Sequence, residues 1–408
     1  MFTRKEKVLL GLLAFIQFSS IVDFMIMMPL GPQLMRLFSI SPHQFGLLVS
    51  SYTFCAGLSG FASSFFIDKF DRKNCLLFFL IGFGIGTVAC ALSPSYEILI
   101  FARGLTGMFG GVLGSLVMSI VSDTIAYERR GSAMGIVMTS FSLASVFGVP
   151  FSLYLANMSG WHTPFVFLGV TALVVCIGIW FVIPQMRGHL DHQVKEPVYR
   201  VLTRILKNPN QLQALLFMGS VVFGHFAIIP FMSPSLVANA GLLESHLPLV
   251  YMAGGLLTIF TSPYIGRLSD RFGKHRVFFW GALITLLPYF VLTNLKQTSL
   301  STILFTTSFL FVSSGGRMIP ASTLVSGTAN PQTRGSFMSI VSCVQQMASA
   351  VASYVSGIII TRGNQGELEN YDIVGYLAIG TTFIAIYLSR KIKATEHLEP
   401  HRPELSDV

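Results

Sequence analysis

Hydrophobic positions run in long unbroken stretches, and polar positions gather in the short gaps between them. Twelve stretches are long enough to cross a membrane: 8–32, 44–66, 74–93, 97–121, 132–156, 163–183, 212–238, 247–266, 277–294, 300–326, 336–361 and 371–390. A hydrocarbon core of ~30 Å needs ~20 residues of helix. An open sheet edge cannot satisfy its backbone groups in lipid, so each stretch predicts a helix. One gap is long. Residues 184–210 carry His189, Asp191, His192, Lys195, Glu196, Arg200, Arg204 and Lys207, and divide six spans from six. Within that gap, Val198–Lys207 has the pattern of a short amphipathic helix on the membrane surface. The expected fold is an all-α polytopic membrane protein. It has twelve transmembrane helices in two six-helix bundles, 1–183 and 211–390, joined by a linker at 184–210 and followed by a tail at 391–408.

Composition agrees. The chain is 52% hydrophobic and 11% charged, whereas soluble domains carry about 25% charged residues. The net charge of +9 could point to nucleic acid, but its placement points to a bilayer. With a cytoplasmic amino terminus, 22 of the 27 Lys and Arg fall in inside segments and three (Arg36, Lys296, Arg362) outside. This is the positive-inside signature, so both termini are expected in the cytoplasm. Arg4, Lys5 and Lys7 precede an apolar run too long for a signal-peptide core, so it reads as a retained first span. The five cysteines show neither metal-ligand spacing nor a disulfide framework.

Two loops repeat at about half the chain length. Gly266–Arg276 reads GRLSDRFGKHR, and Ser64–Lys73 reads SFFIDKFDRK; their acids, Asp68 and Asp270, lie 202 residues apart. Arg130-Gly131-Ser132-Ala133-Met134 and Arg334-Gly335-Ser336-Phe337-Met338 lie 204 apart. With six spans per half, both copies keep one orientation. This is a parallel repeat about an axis along the membrane normal, as in transporters whose halves rock around a midplane site.

The loop Gly266–Arg276 resembles the signature loop of the major facilitator superfamily. The copy at 64–73 is a degenerate form, with Ser64 and Asp71 where glycines are usual. Arg103-Gly104-Leu-Thr-Gly107-Met-Phe-Gly110-Gly111 resembles that superfamily's fourth-helix motif. Asp23-Phe-Met-Ile-Met-Met-Pro29-Leu-Gly31-Pro32 resembles the first helix of its twelve-helix drug:proton antiporters. Gly148-Val-Pro150, with Gly160-Trp161-His162-Thr-Pro-Phe165, resembles the fifth-helix region of bacterial sugar or drug efflux permeases. The resemblance covers essentially the whole chain. It implies alternating access and proton-coupled efflux of a small organic molecule across the cell inner membrane. Symport-driven uptake of a small, in one version anionic, solute is the runner-up, and a transport-dead sensor ranks below both.

Candidate chemistry is sparse. Asp23 lies 15 residues after Val8, roughly 22 Å into the core. Ser19, Ser20, Asp23 and Met27 share one helical face. A carboxyl in hydrocarbon must face protein or water and is functional by default; the competing reading is a permanent salt bridge. Arg103, about six residues into a span entered from the other side, sits at matching depth and can be its counter-charge. The resemblance ties the corresponding arginine to proton coupling; the competing reading is an arginine that binds carbonyls at a helix bend. Arg317 sits mid-span between Gly315-Gly316 and Pro320 and needs an anion, either Asp23 or an acidic substrate group, unless it binds carbonyls freed at Pro320. His225, Gln345, Gln346, Tyr52 and Gln17 are further candidates to line a substrate site. Each can equally serve a helix–helix hydrogen bond.

Asp68, Arg72 and Asp123 are expected to form one cytoplasmic network, and Asp270, Arg271 and Lys274 its second-half version. In the superfamily such a network latches the halves in the outward-facing state. The competing reading is solvated loop charge. No Gly-x-x-x-x-Gly-Lys loop, nucleophile–base set or metal cluster stands out, so neither an enzyme nor a cofactor is expected. The expected partners are a small-molecule substrate, protons and the lipid bilayer, without nucleic acid, and the protein is expected to be a monomer.

Overall fold

The computed structural model describes residues 2–183, 185–186, 198–329 and 334–393, without the side chains of Asp68, Tyr127, Glu128, Val182, Val198, Tyr199 and Val201. The first half holds α1 (Arg4–Ile26), α2 (Gly31–Leu37), α3 (Pro42–Ser63), α4 (Arg72–Ala91), α5 (Tyr96–Thr124), α6 (Tyr127–Leu143), α7 (Val149–Ser159) and α8 (His162–Val182). The linker holds α9 (Val198–Lys207). The second half holds α10 (Pro209–Ala238), α11 (Leu247–Phe272), α12 (Lys274–Thr293), α13 (Leu300–Ser326), α14 (Arg334–Ile359) and α15 (Tyr371–Ser389). α2 continues the first crossing after α1. α6 and α7 form the fifth, joined by a π-helical turn at Ala144–Gly148. The result is the twelve crossings in two bundles that the apolar runs predict.

Helix starts follow the local sequence. Thr3 and Ser41 close capping boxes with Glu6 and Gln44, and Pro42 takes the first turn of α3. Asp71, Ser95, Asn208 and Ser299 cap α4, α5, α10 and α13 with their side chains. In the second half, prolines lie inside four helices: Pro230 and Pro234 in α10, Pro263 in α11, Pro288 in α12 and Pro320 in α13. Each removes a backbone hydrogen bond and loosens its helix.

Among the described residues, ten helical segments are long and apolar enough to span a bilayer by composition alone. α13 and α14 are long enough, at 27 and 26 residues, but interleave Ser, Thr, Gly and Gln with their apolar residues. α14 lies along α3 of the other half, and α13 along α11 and α12, each leaving an outer face to the lipid. That lipid-facing surface carries bare aromatics such as Phe101, Phe181, Phe260 and, on α13 itself, Phe305.

The buried apolar residues fall mainly into three clusters. One draws on both halves and lies away from the termini; it includes Ile26, Phe45, Phe165, Phe231, Tyr251, Tyr289 and Tyr371. The other two lie toward the termini, one built within residues 10–183 and the other within 205–392. The halves are therefore fused at the end far from the termini and have separate cores at the termini end. At the far end, Phe45 meets Phe231 edge-on at 5.6 Å, and Arg36 pairs with Glu244. A short hairpin, Thr361–Arg362 with Leu368–Glu369, lies at the same end. Asn239 joins it: its Nδ2 donates to the Leu368 carbonyl and its Oδ1 accepts from the Leu368 N–H, both at 2.8 Å.

Candidate functional site

Asp23 lies on the buried face of α1, in step with Ser19, Val22 and Ile26. Its side chain is 0% exposed, and that of Arg103 is 1%. Arg103 Nη1 donates to Asp23 Oδ2 at 2.9 Å and to the Asp23 carbonyl at 3.4 Å. The Thr87 hydroxyl of α4 donates to Oδ1 at 3.3 Å. Three helices thus converge on one carboxylate. The Arg103 guanidinium also lies 4.4 Å from the centroid of the Tyr52 ring and 6.0 Å from that of Phe165. Such a face attracts a cation, more so where water is absent. Among the described residues, Arg103 Nε is buried with no hydrogen-bond partner.

The glycines after Arg103 explain how Tyr52 comes so close. A Cβ at Gly107 would sit 2.8 Å from the Tyr52 carbonyl carbon, and one at Gly111 would sit 2.6 Å from Ala56 Cα. Only glycine at these places lets α3 and α5 approach until the Tyr52 ring lies against the guanidinium. One helix away, a Cβ at Gly86 would meet the Thr106 hydroxyl at 2.7 Å, and Gly86 stands beside Thr87.

Arg317 is 2% exposed in α13. Its Nη2 donates to the Tyr289 hydroxyl of α12, and its Nη1 donates to the Thr382 hydroxyl of α15 at 3.4 Å. The guanidinium lies 5.0 Å from the Tyr289 ring centroid. Asp23 is held by Arg103, and Arg317 bonds side-chain hydroxyls, not carbonyls freed at Pro320. Among the described residues it has no carboxylate partner.

His225 of α10 is half-buried, with Nδ1 3.4 Å from the Ser314 hydroxyl, one turn before Arg317. Its ring meets Phe226 edge-on at 5.4 Å; Phe226 meets Phe24 at 5.8 Å, and Phe24 meets Tyr52 at 5.4 Å. A continuous row of rings therefore connects Tyr52 beside Arg103 to His225 beside Ser314, across the boundary between the halves. Gln346 lies at that boundary too: a Cβ on Gly57 of α3 would sit 3.2 Å from Gln346 Cβ. Gln345 is likewise half-buried. Gln17 sits near Gly114, its Oε1 buried without a hydrogen-bond partner among the described residues.

At the termini end, Arg72 Nε donates to Asp123 Oδ2 at 3.2 Å. The Asp68 side chain lies outside the described residues. Asp71 accepts from the N–H groups of Lys73 and Asn74, capping α4, and from the Met186 N–H at 2.9 Å. A glycine there could supply none of these three bonds, so this departure from the usual loop has a local use. Asp270, Arg271 and Lys274 are exposed, and among the described residues none of them forms an ion pair; Arg271 lies over the Phe272 ring. Arg129 and Glu6, unremarked in the sequence, form a two-pronged pair with both contacts at 2.9 Å.

Thr87, Tyr289, Thr382 and Ser314 also escaped the sequence reading. Each is a hydroxyl within an apolar run. The available signal was proximity to a helix-loosening residue: Thr87 follows Gly86, and Tyr289 follows Pro288.

Comparison with known proteins agrees with this architecture. The profile described as Major Facilitator Superfamily matches residues 13–260 and 214–406. The MFS-type transporter YceJ of Bacillus subtilis is 23% identical over 374 residues, covering 91% of this chain and 95% of its own length. A probable sugar efflux transporter of Helicobacter pylori is 21% identical over 264 residues, 64% of this chain and 66% of its own. Among solved structures, a bacterial homolog of the human lysosomal transporter Spinster, inward-facing and occupied, superposes with a TM-score of 0.76 at 17% identity, covering 96% of this chain and 97% of that one. A D-xylose–proton symporter gives a TM-score of 0.75 at 16% identity, covering 96% and 99%. With matches spanning both halves of a twelve-helix fold, the chain belongs to the Major Facilitator Superfamily of membrane transporters.

Proposed function

We propose that this transporter exports a small organic molecule in exchange for protons, with Asp23 as the group that loads and releases the proton. The observation that carries the reading is the isolation of that carboxylate. It is buried in the first crossing, and among the described residues its hydrogen-bond partners are Arg103, through the side chain and through its own carbonyl, and Thr87. Protonating Asp23 removes the charge that holds Arg103. A freed Arg103 keeps the Tyr52 face and gains reason to turn toward the boundary between the halves. Loss of the proton restores the pair. Each of the two states thus favours a different packing around α1, α4 and α5, which is what alternating access needs.

Direction and sidedness rest on supporting features. The resemblance of the Gly148–Pro150 region and the H. pylori relative favour export. The charge asymmetry favours termini in the cytoplasm of a cell with this chain in its inner membrane. On that orientation the shared far-end core corresponds to an inward-open arrangement; Arg72–Asp123 is formed within the first half there and would join a cytoplasmic latch only when the halves close. Bundles at 1–183 and 211–390 would rock as monomer halves about the linker. A proton crossing 100 mV supplies ~2.3 kcal/mol, enough to drive modest accumulation.

The test is flux in proteoliposomes under an imposed pH gradient. Candidate solutes are first screened by thermal shift on wild type against Asp23→Asn. Export by antiport requires solute to move opposite to the proton gradient, and Asp23→Asn to lose gradient-driven movement while retaining downhill exchange. Solute moving with protons would establish uptake instead, and binding without flux would establish a sensor.

A further inference from the structure

We infer that Arg317, Tyr289 and Thr382 form the seat for a carboxylate on the transported molecule. The inference rests on the transport reading above and names the substrate class: small organic acids. Arg317 is a permanent cation, 2% exposed, in the middle of α13. Burying such a charge without an anion is costly, and native proteins pair it. Here the pairing is incomplete. The guanidinium has five N–H donors, and its hydrogen bonds go to two neutral hydroxyls, those of Tyr289 and Thr382. Asp23, the acid deep within a span, is bound by Arg103.

The surroundings suit an oxyanion. Thr382 already donates its proton to the Ala378 carbonyl at 2.8 Å, so it serves Arg317 as an acceptor. Tyr289 accepts from Arg317 and keeps its own phenolic proton without an acceptor among the described residues. Arg317 and Tyr289 therefore present donors with no protein acceptor, in a planar fork that matches a carboxylate. One turn away, Ser314 and His225 are half-buried. They lie beside Phe226, which meets Phe24 of the other half, so the cluster stands one turn from the boundary between the bundles. A carboxylate would complete the charge balance there, while the row of rings from His225 to Tyr52 gives its apolar body a surface.

Two readouts on the purified full-length chain test this. The first is thermal unfolding with matched probes at fixed ionic strength: benzoate against benzamide, and gluconate against glucose. At least one acid should raise the wild-type midpoint by about 3 °C or more over its neutral partner. Arg317→Met should abolish that difference, and Arg317→Lys should keep part of it. The second is stability without any acid. Removing an uncompensated cation predicts that Arg317→Met unfolds at or above the wild-type temperature. The inference is overturned if neither acid outperforms its neutral partner, if Arg317→Met keeps the full difference, or if Arg317→Met unfolds several degrees lower. Asp23→Asn should retain the acid effect, so failure of proton coupling and failure of this seat are read separately.

Discussion

Arg103 donates to the Asp23 carboxylate at 2.9 Å in a place that water does not reach. Leaving either charge behind alone costs about 3–5 kcal/mol in other buried pairs. Arg103→Gln should therefore lower stability strongly, and Asp23→Asn should do so less, because the amide still accepts from Arg103. In the double variant Asp23→Asn/Arg103→Gln the losses should fall short of their sum by about 1–3 kcal/mol. Thermal melts of the four proteins in one detergent give the cycle. Additive losses would show that the two charges do not act as a pair.

Gly107 holds α5 against the Tyr52 backbone. A Cβ there sits 2.8 Å from a carbonyl carbon that cannot swing aside. Gly107→Val should cost at least the ~1–3 kcal/mol typical of overpacking, with loss of folded yield. Gly135→Ala meets nothing within 4 Å and should match wild type. Monodisperse yield and melting temperature, compared between the two, decide the matter.

Arg36 and Glu244 bridge the halves at the end far from the termini, with one contact at 3.0 Å and the arginine side chain 58% exposed. Such a pair is worth ~0–1 kcal/mol, so its loss shifts a two-state balance about fivefold at most. Glu244→Gln should make cysteines introduced between the halves at the far end label up to about fivefold faster. The gain should fade at high salt, where the wild-type pair is already screened. Labelling that is unchanged at low salt would remove this pair from gating.

The sequence made some of this legible and hid the rest, for definable reasons. Asp23 and Arg103 could be matched because helical rise places them at one depth, and charge in an apolar run is rare enough to notice. Val198–Lys207 was bounded by the pattern alone and is α9. The partners of Arg317 were not legible. Tyr289 and Thr382 come from α12 and α15, and only the packing of three helices selects them among many hydroxyls. Asp270, Arg271 and Lys274 repeat the first loop in letters, yet they stand apart in space, because no acid at the end of α13 corresponds to Asp123. The repeat also conceals an exchange. Counted by the 202-residue spacing of the two loops, the position of Asp23 falls on His225, and by the 204-residue spacing the position of Arg103 falls on Thr307. The second half keeps the scaffold and drops the charge pair.

The π-helical turn at Ala144–Gly148 gives the fifth crossing one residue more than regular winding would use. It is pressed from both sides: a Cβ on Gly148 would meet the Phe18 ring at 3.0 Å, and one on Gly255 of α11 would meet the Ser145 carbonyl at 3.2 Å. A surplus residue of this kind is a dislocation that can glide. Sliding it by one position turns the residue it passes by about 100° and leaves the winding on either side as it was. The crossing wedged between the first helix and the opposite bundle can thus re-index the faces it shows them, without a single turn having to melt.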